Sequence, residues 1–188
     1  GNGGGVYISR SSALGNWIAS NKAEGNGGGV FATFGLVESN DIRSNRAAEG
    51  GGIFAERNSS LTRNFVASNE ALSGFGGGVY INFWGASIEN ESFVQNTVTT
   101  NRAPTDRDNG GVFVSGFLLF EENNIYDNVG SQLYNANESK SEPLVASQCY
   151  WGIADKDAIA KRITDGNDNP KLGLVNYEPF LSEPVKFD

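Results

Sequence analysis

Short runs in which apolar and polar residues alternate recur through most of the chain, separated by glycine, asparagine and serine. Val6-Tyr-Ile-Ser9, Val30-Phe-Ala-Thr33, Ile53-Phe-Ala-Glu56, Val79-Tyr-Ile-Asn82 and Val112-Phe-Val-Ser115 have a period of two, as strands with one buried face do. Val6 and Ile8, like Val30 and Ala32 or Val79 and Ile81, are predicted to point into a core, and the residue between them outward. Each run follows a glycine word: GGGVY at 3–7, GGGVF at 27–31, GGGIF at 50–54, GGGVY at 76–80 and GGVFV at 110–114. Glycine accepts positive φ and lets backbones approach closely, so the word predicts a sharp corner leading directly into a strand. Helical period first appears after residue 155. There Asp155 or Asp157 is predicted to cap a helix over 157–163, with Ile159 and Ile163 on one face.

The strands keep a beat. Val6, Val30, Ile53, Val79 and Val112 are separated by 24, 23, 26 and 33 residues. One asparagine column aligns as Asn16, Asn40, Asn64, Asn90 and Asn123, and a second as Asn21, Asn45, Asn69, Asn96 and Asn128. An apolar column of Ile18, Ile42, Val66, Phe93 and Ile125 runs between them, and alanine follows two places after Asn21, Asn45 and Asn69. A period in the twenties, sustained over several units, predicts an all-β solenoid of about six stacked coils of roughly 24 residues each. Leucine-rich repeats share the length, but their fixed leucines are lacking. The coils are expected over residues 1–152, with a cap of short helix and extended tail over 153–188. Asparagines at repeated corners tolerate left-handed geometry, and their amides can bond in ladders from coil to coil. Two stretches break the beat, at 97–109 and 133–144, and are expected to be loops, which solenoids place on one side where binding often occurs.

The GGGV, GGGI and GGV words, with Ile18-Ala-Ser-Asn21, Ile42-Arg-Ser-Asn45, Val66-Ala-Ser-Asn69, Phe93-Val-Gln-Asn96 and Ile125-Tyr-Asp-Asn128, resemble the repeats of right-handed parallel β-helices. They are similar in particular to polymorphic outer membrane protein repeats, marked by GGA plus an aliphatic residue and by FxxN, and more widely to pectate-lyase-like solenoids. The tail, with Trp151-Gly152 and Tyr177-Glu-Pro-Phe-Leu181, resembles the closing segment of bacterial secreted β-helix proteins. The resemblance implies export and a role as a surface passenger, an adhesin or a polysaccharide-active module.

Composition narrows the chemistry. A net charge of -8 with only 14 basic residues, scattered along the chain, argues against a nucleic-acid partner, which demands clustered cations. None of the apolar runs reaches the ~18 residues of a membrane span. One cysteine, Cys149, rules out an internal disulfide, and the absence of histidine removes the usual general base and the commonest zinc ligand. No acidic column appears at equivalent repeat positions, so no catalytic residue is assigned and no cofactor is expected. Asp165-Gly-Asn-Asp-Asn169 has oxygen-bearing side chains like a calcium loop, but Pro170 replaces the required glycine and the bidentate glutamate is missing, so a turn is expected and no metal. Tyr7, Phe31, Phe54, Tyr80 and Phe113 form one outward column. It is read either as a platform for sugar rings or as rings buried against each other. Residue 1 enters a repeat in progress, so further coils are expected upstream and the first coil is expected to self-associate. The functional expectation is an exported or cell-surface structural or adhesive module whose partner is a polysaccharide or another surface, with a lyase or hydrolase fragment as the alternative.

Overall fold

The computed structural model describes residues 1–83, 91–104 and 108–187. Within them the chain is a parallel β-solenoid of about five turns, with one short helix. Each turn visits three sheets. Sheet A holds seven strands in the order Val6–Ser9, Val30–Thr33, Ile53–Glu56, Val79–Asn82, Val112–Ser115, Leu133–Asn135 and Ile163–Thr164. Sheet B stacks Ser12–Leu14, Leu36–Glu38, Ser60–Thr62, Ser92–Val94 and Leu119–Glu121, and sheet C stacks Trp17–Ala19, Asp41–Arg43, Phe65–Ala67, Thr97–Thr99 and Asn124–Tyr126. All these strand pairs are parallel and in register, Val6 on Val30 on Ile53 on Val79 on Val112 on Leu133.

Three inward columns make the core. Sheet A supplies Val30, Ile53, Val79, Val112 and Leu133, sheet B supplies Ala13, Val37, Leu61, Phe93 and Phe120, and sheet C supplies Ile18, Ile42, Val66, Val98 and Ile125, all buried. The sheets are joined at corners where one residue takes positive φ: Ser39, Arg63, Gln95 and Glu122 between B and C, and Ser20, Ser44, Ser68, Thr100 and Asp127 after C. The asparagine comes next. The left-handed turn is therefore made by the residue before it, rather than by asparagine as expected. Its amide is left free to bond along the axis.

Two ladders result. In the first, the Oδ1 of Asn40, Asn64, Asn96 and Asn123 each accepts from the backbone N–H and the Nδ2 of the asparagine one coil earlier, starting at Asn16. The second runs Asn21, Asn45, Asn69, Asn101 and Asn128 by the same pattern and ends on the Oε1 of Gln132. Asn96 therefore belongs to the first ladder and Asn101 takes the place expected for Asn96. Asn90 lies outside the described residues. Likewise Val98 replaces Phe93 in the sheet C column, and Phe93 stacks on Phe120 in sheet B with centroids 5.1 Å apart. The physical reason is the position of the long turn. Asn64 and Asn96 are 32 residues apart where Asn40 and Asn64 are 24 apart, and most of the extra length falls between Asn82 and Ser92. Thr97–Thr99 and Leu133–Asn135 are accordingly strands inside the two stretches expected to be loops.

The C-terminal segment closes the last coil. Asp155 caps helix α1 (Lys156–Ala160), its Oδ1 accepting from the Ala158 N–H at 2.8 Å. Ile159 is buried, but Ile163 lies beyond the helix, in the last strand of sheet A, so the coils extend past residue 152. The Asn124 side chain pairs with both backbone groups of Val185, which ties the tail to sheet C. At the opposite end, Val6–Ser9, Ser12–Leu14 and Trp17–Ala19 are the edge strands of their sheets.

Burial also sets two titrations. Burial, followed by the nearby Glu121 and Glu122, pushes the Cys149 thiol up from 9.0 to about 12, against the opposing bonds from Asn123. Burial, with Glu49 nearby, pushes the Tyr80 hydroxyl from 10.0 to about 12. The folded protein thus retains protons that the unfolded chain loses, so stability is whole below these ordinary values and falls as pH rises through the raised ones. Denaturant midpoints are expected to drop from pH 9 to 12, less steeply in Cys149→Ala, and the native thiol should resist thiol reagents at neutral pH.

Candidate functional site

The outward ring column is a continuous stack. Tyr7, Phe31, Phe54, Tyr80 and Phe113 lie with successive centroids 5.2, 5.2, 4.7 and 4.4 Å apart. Tyr134 continues the stack at 5.3 Å, and Phe75 packs against both Phe113 and Tyr134. Because the rings step along the axis with the coils, each face is covered by the next ring. Phe31, Phe54 and Phe113 are 4–6 % exposed, whereas Tyr7 on the first coil is 58 % exposed. A sugar ring stacks on an aromatic face, and the interior of this column offers none. Tyr134 was missed because Gln132 stands where the glycine word is expected, although Leu133-Tyr134 keeps its aliphatic-aromatic ending.

The asparagine columns are likewise inside. Asn45, Asn69, Asn96, Asn101 and Asn123 are fully buried and spend their Nδ2 donors on neighbouring asparagines or on carbonyls of the preceding coil. Around Asp165 the carboxylate is also occupied. It accepts from the N–H groups of Asn167 and Val175, and so holds a turn. Among the described residues no group of three or more candidate metal ligands gathers.

A hollow lies elsewhere, on the outside of sheet B at its corner with sheet A. It is an open groove of about 850 Å³. Its length comes from register: Ser12, Leu36, Ser60, Ser92 and Leu119 are the outward residues that open successive strands. At ~4.8 Å per coil these five positions extend for roughly 19 Å. Arg10, Phe34 and Asn58 form one flank, at corners where φ is positive, and the Arg10 guanidinium lies 5.2 Å from the Phe34 ring centre. Hydroxyls and apolar groups share the groove, three serines with two leucines. The Ser60 and Ser92 Oγ atoms are 2.6 Å apart, and Leu119 is 51 % exposed.

Glu91 joins the lining from beneath. It is 2 % exposed, and its Oε1 accepts from the Asn58 N–H at 2.9 Å. Burial raises its pKa, partly offset by that bond. In the preceding coil Ser59 serves the equivalent purpose, its Oγ accepting from the Gly35 N–H. Sequence reasoning missed the groove because its serines and leucines carry no motif. The spacing of Ser12, Leu36 and Ser60 was the available signal.

Two smaller polar faces flank it. On sheet C the Arg43 guanidinium sits between the rings of Trp17 and Phe65, at 5.3 and 4.5 Å, and is forked onto Asp41. After sheet C, Arg46 and Arg102 share the carboxylate of Glu70 at 2.9 and 3.0 Å beside a hollow of about 240 Å³. No family model, curated protein or solved structure matches the chain. Among the described residues no helix is long and apolar enough to cross a membrane.

Proposed function

We propose that the chain is an exported, cell-surface adhesive module of the parallel β-helix type that holds a polysaccharide along the sheet B groove. The groove itself carries the reading: five coils in register form an open trough whose floor combines three serine hydroxyls with two leucines, and one flank bears Arg10 and Phe34. An extended polymer presents both kinds of surface, with apolar ring faces between hydroxyl-bearing edges. A trough open along its length admits a chain without requiring a free end. Binding is favoured over turnover because Glu91 is the one carboxylate in the lining among the described residues, whereas glycoside hydrolysis commonly uses a pair.

Affinity electrophoresis against neutral and acidic polysaccharides, with an assay for new reducing ends, tests the proposal. Retardation without product is expected, and Leu119→Trp, which fills the trough from an exposed position, is expected to weaken it about ten-fold or more. Product formation would instead support a lyase or hydrolase. Retardation that Leu119→Trp leaves unchanged would remove the groove from the account.

A further inference from the structure

The groove carries one feature that a purely structural corner does not require. Ser59 satisfies the Gly35 N–H with a hydroxyl, yet one coil later the same task falls to a carboxylate, Glu91, which satisfies the Asn58 N–H with Oε1 alone. Its second oxygen, Oε2, has no hydrogen-bond or ion-pair partner among the described residues, and the side chain lines the groove. Oε2 is not sealed from solvent, so it is open to a donor arriving through the groove. The groove's cation does not supply one. Arg10 belongs to the first coil and Glu91 to the fourth, roughly 14 Å along the axis at ~4.8 Å per coil, and Arg10 lies over Phe34. The donor nearest in kind is the hydroxyl pair of Ser60 and Ser92, and these two atoms bond each other.

We propose that Glu91 makes the groove selective for uncharged, hydroxyl-rich polysaccharides, with Oε2 accepting from a ligand hydroxyl while Leu36 and Leu119 meet the apolar faces of the sugar rings. This rests on the groove being the binding site. A ligand hydroxyl gives this groove-facing oxygen a donor that none of the described residues provides. A uronate or sulfate unit at the same place sets anion against anion where water is partly excluded, and like-charge contacts of that kind discriminate strongly between partners. The net charge of -8 adds repulsion at long range. The ligand class therefore follows from one side chain.

The test compares wild type, Glu91→Gln and Leu119→Trp on neutral chains (xylan, mannan, mixed-linkage glucan) and acidic ones (polygalacturonate, alginate). Wild type is expected to bind at least one neutral chain and to bind the acidic ones about ten-fold or more weakly. Glu91→Gln retains an acceptor for Asn58 and is expected to keep neutral affinity within about three-fold while gaining about ten-fold or more for acidic chains. If wild type takes both classes alike and Leu119→Trp abolishes both, the groove stands and the role given to Glu91 falls. If Leu119→Trp changes nothing, or no chain binds at all, the groove reading fails and this inference with it. Should Glu91→Gln not fold, as judged by its melting curve, the wild-type comparison is repeated at high salt, which screens the long-range repulsion: discrimination that persists supports the role of Glu91, and discrimination that vanishes overturns it.

Discussion

Replacing Asn69 with alanine is expected to destabilise the solenoid by about 4 kcal/mol. The number follows from what the amide holds. Its Oδ1 accepts from the N–H and the Nδ2 of Asn45, and its Nδ2 donates to the Ile42 carbonyl and to the Asn101 Oδ1. Alanine removes all four bonds. Asn45 is left with two buried donors unmet and the Ile42 carbonyl loses its amide donor, while the Asn101 oxygen retains the Asn69 N–H. Each buried group left unsatisfied costs roughly 1–3 kcal/mol, so the two donors of Asn45 outweigh the few tenths gained from alanine's simpler packing. Asn16 is the contrast. It is exposed, its side chain donates to the Leu14 carbonyl and the Asn40 Oδ1, and its alanine variant is expected to lose about 1 kcal/mol or less. Urea denaturation followed by circular dichroism separates the two. Equal midpoints for both variants would mean that the ladders contribute little and that the sheets alone hold the coils. Because nearest-neighbour coils unfold semi-independently, the Asn69 variant is also expected to broaden the transition.

The repeat was legible in the sequence because both of its periodic elements are compulsory. Glycine is required at the close approach before sheet A, and an amide is required after each left-handed corner, so both leave residues that can be counted. The inward columns were legible for the same reason, since Val30, Ile53, Val79 and Val112 alternate cleanly with their outward neighbours. Register failed in the fourth coil. Phe93-Val-Gln-Asn96 and Val98-Thr-Thr-Asn101 fit the same four-residue pattern, and local spacing cannot choose between them. The deciding signal was Asn101-Arg-Ala103, which repeats Asn21-Lys-Ala23 and Asn45-Arg-Ala47 and marks the second ladder. The candidate site was harder to see. Serine and leucine at the outward positions of sheet B are ordinary surface residues one at a time. They make a groove only when five coils bring them into line and the corner with sheet A rises beside them. The ring column showed the reverse. It was conspicuous in the sequence, but stacking turned its faces inward along the axis and left only the first ring broadly exposed.

Gly51→Ala tests the close approach of the coils directly, and a loss of about 3 kcal/mol or more is expected, enough to threaten folding of the central coils. Gly51 is the middle glycine of its word, and its backbone lies in an ordinary region, so conformational freedom is not at issue. Space is. A Cβ there would fall far inside van der Waals contact with the carbonyl carbon and oxygen of Glu70 and with the carbonyl oxygen of Gly77. All three are backbone atoms of strands or corners fixed by the pairing of neighbouring coils, so none can rotate aside as a side chain would. Relief requires the coils to separate, and that would strain the adjacent bonds from Gly51 to Gly76 and from Gly52 to Gly77. Gly15 provides the control. Its φ is +62°, but nothing lies within 4 Å of the Cβ it would carry, so alanine there meets only the backbone penalty of about 1 kcal/mol. Thermal melts of the two variants are expected to separate widely. A Gly51→Ala protein as stable as Gly15→Ala would show that the coils can move apart by the width of a methyl group, and the ladders on either side would then have to stretch with them.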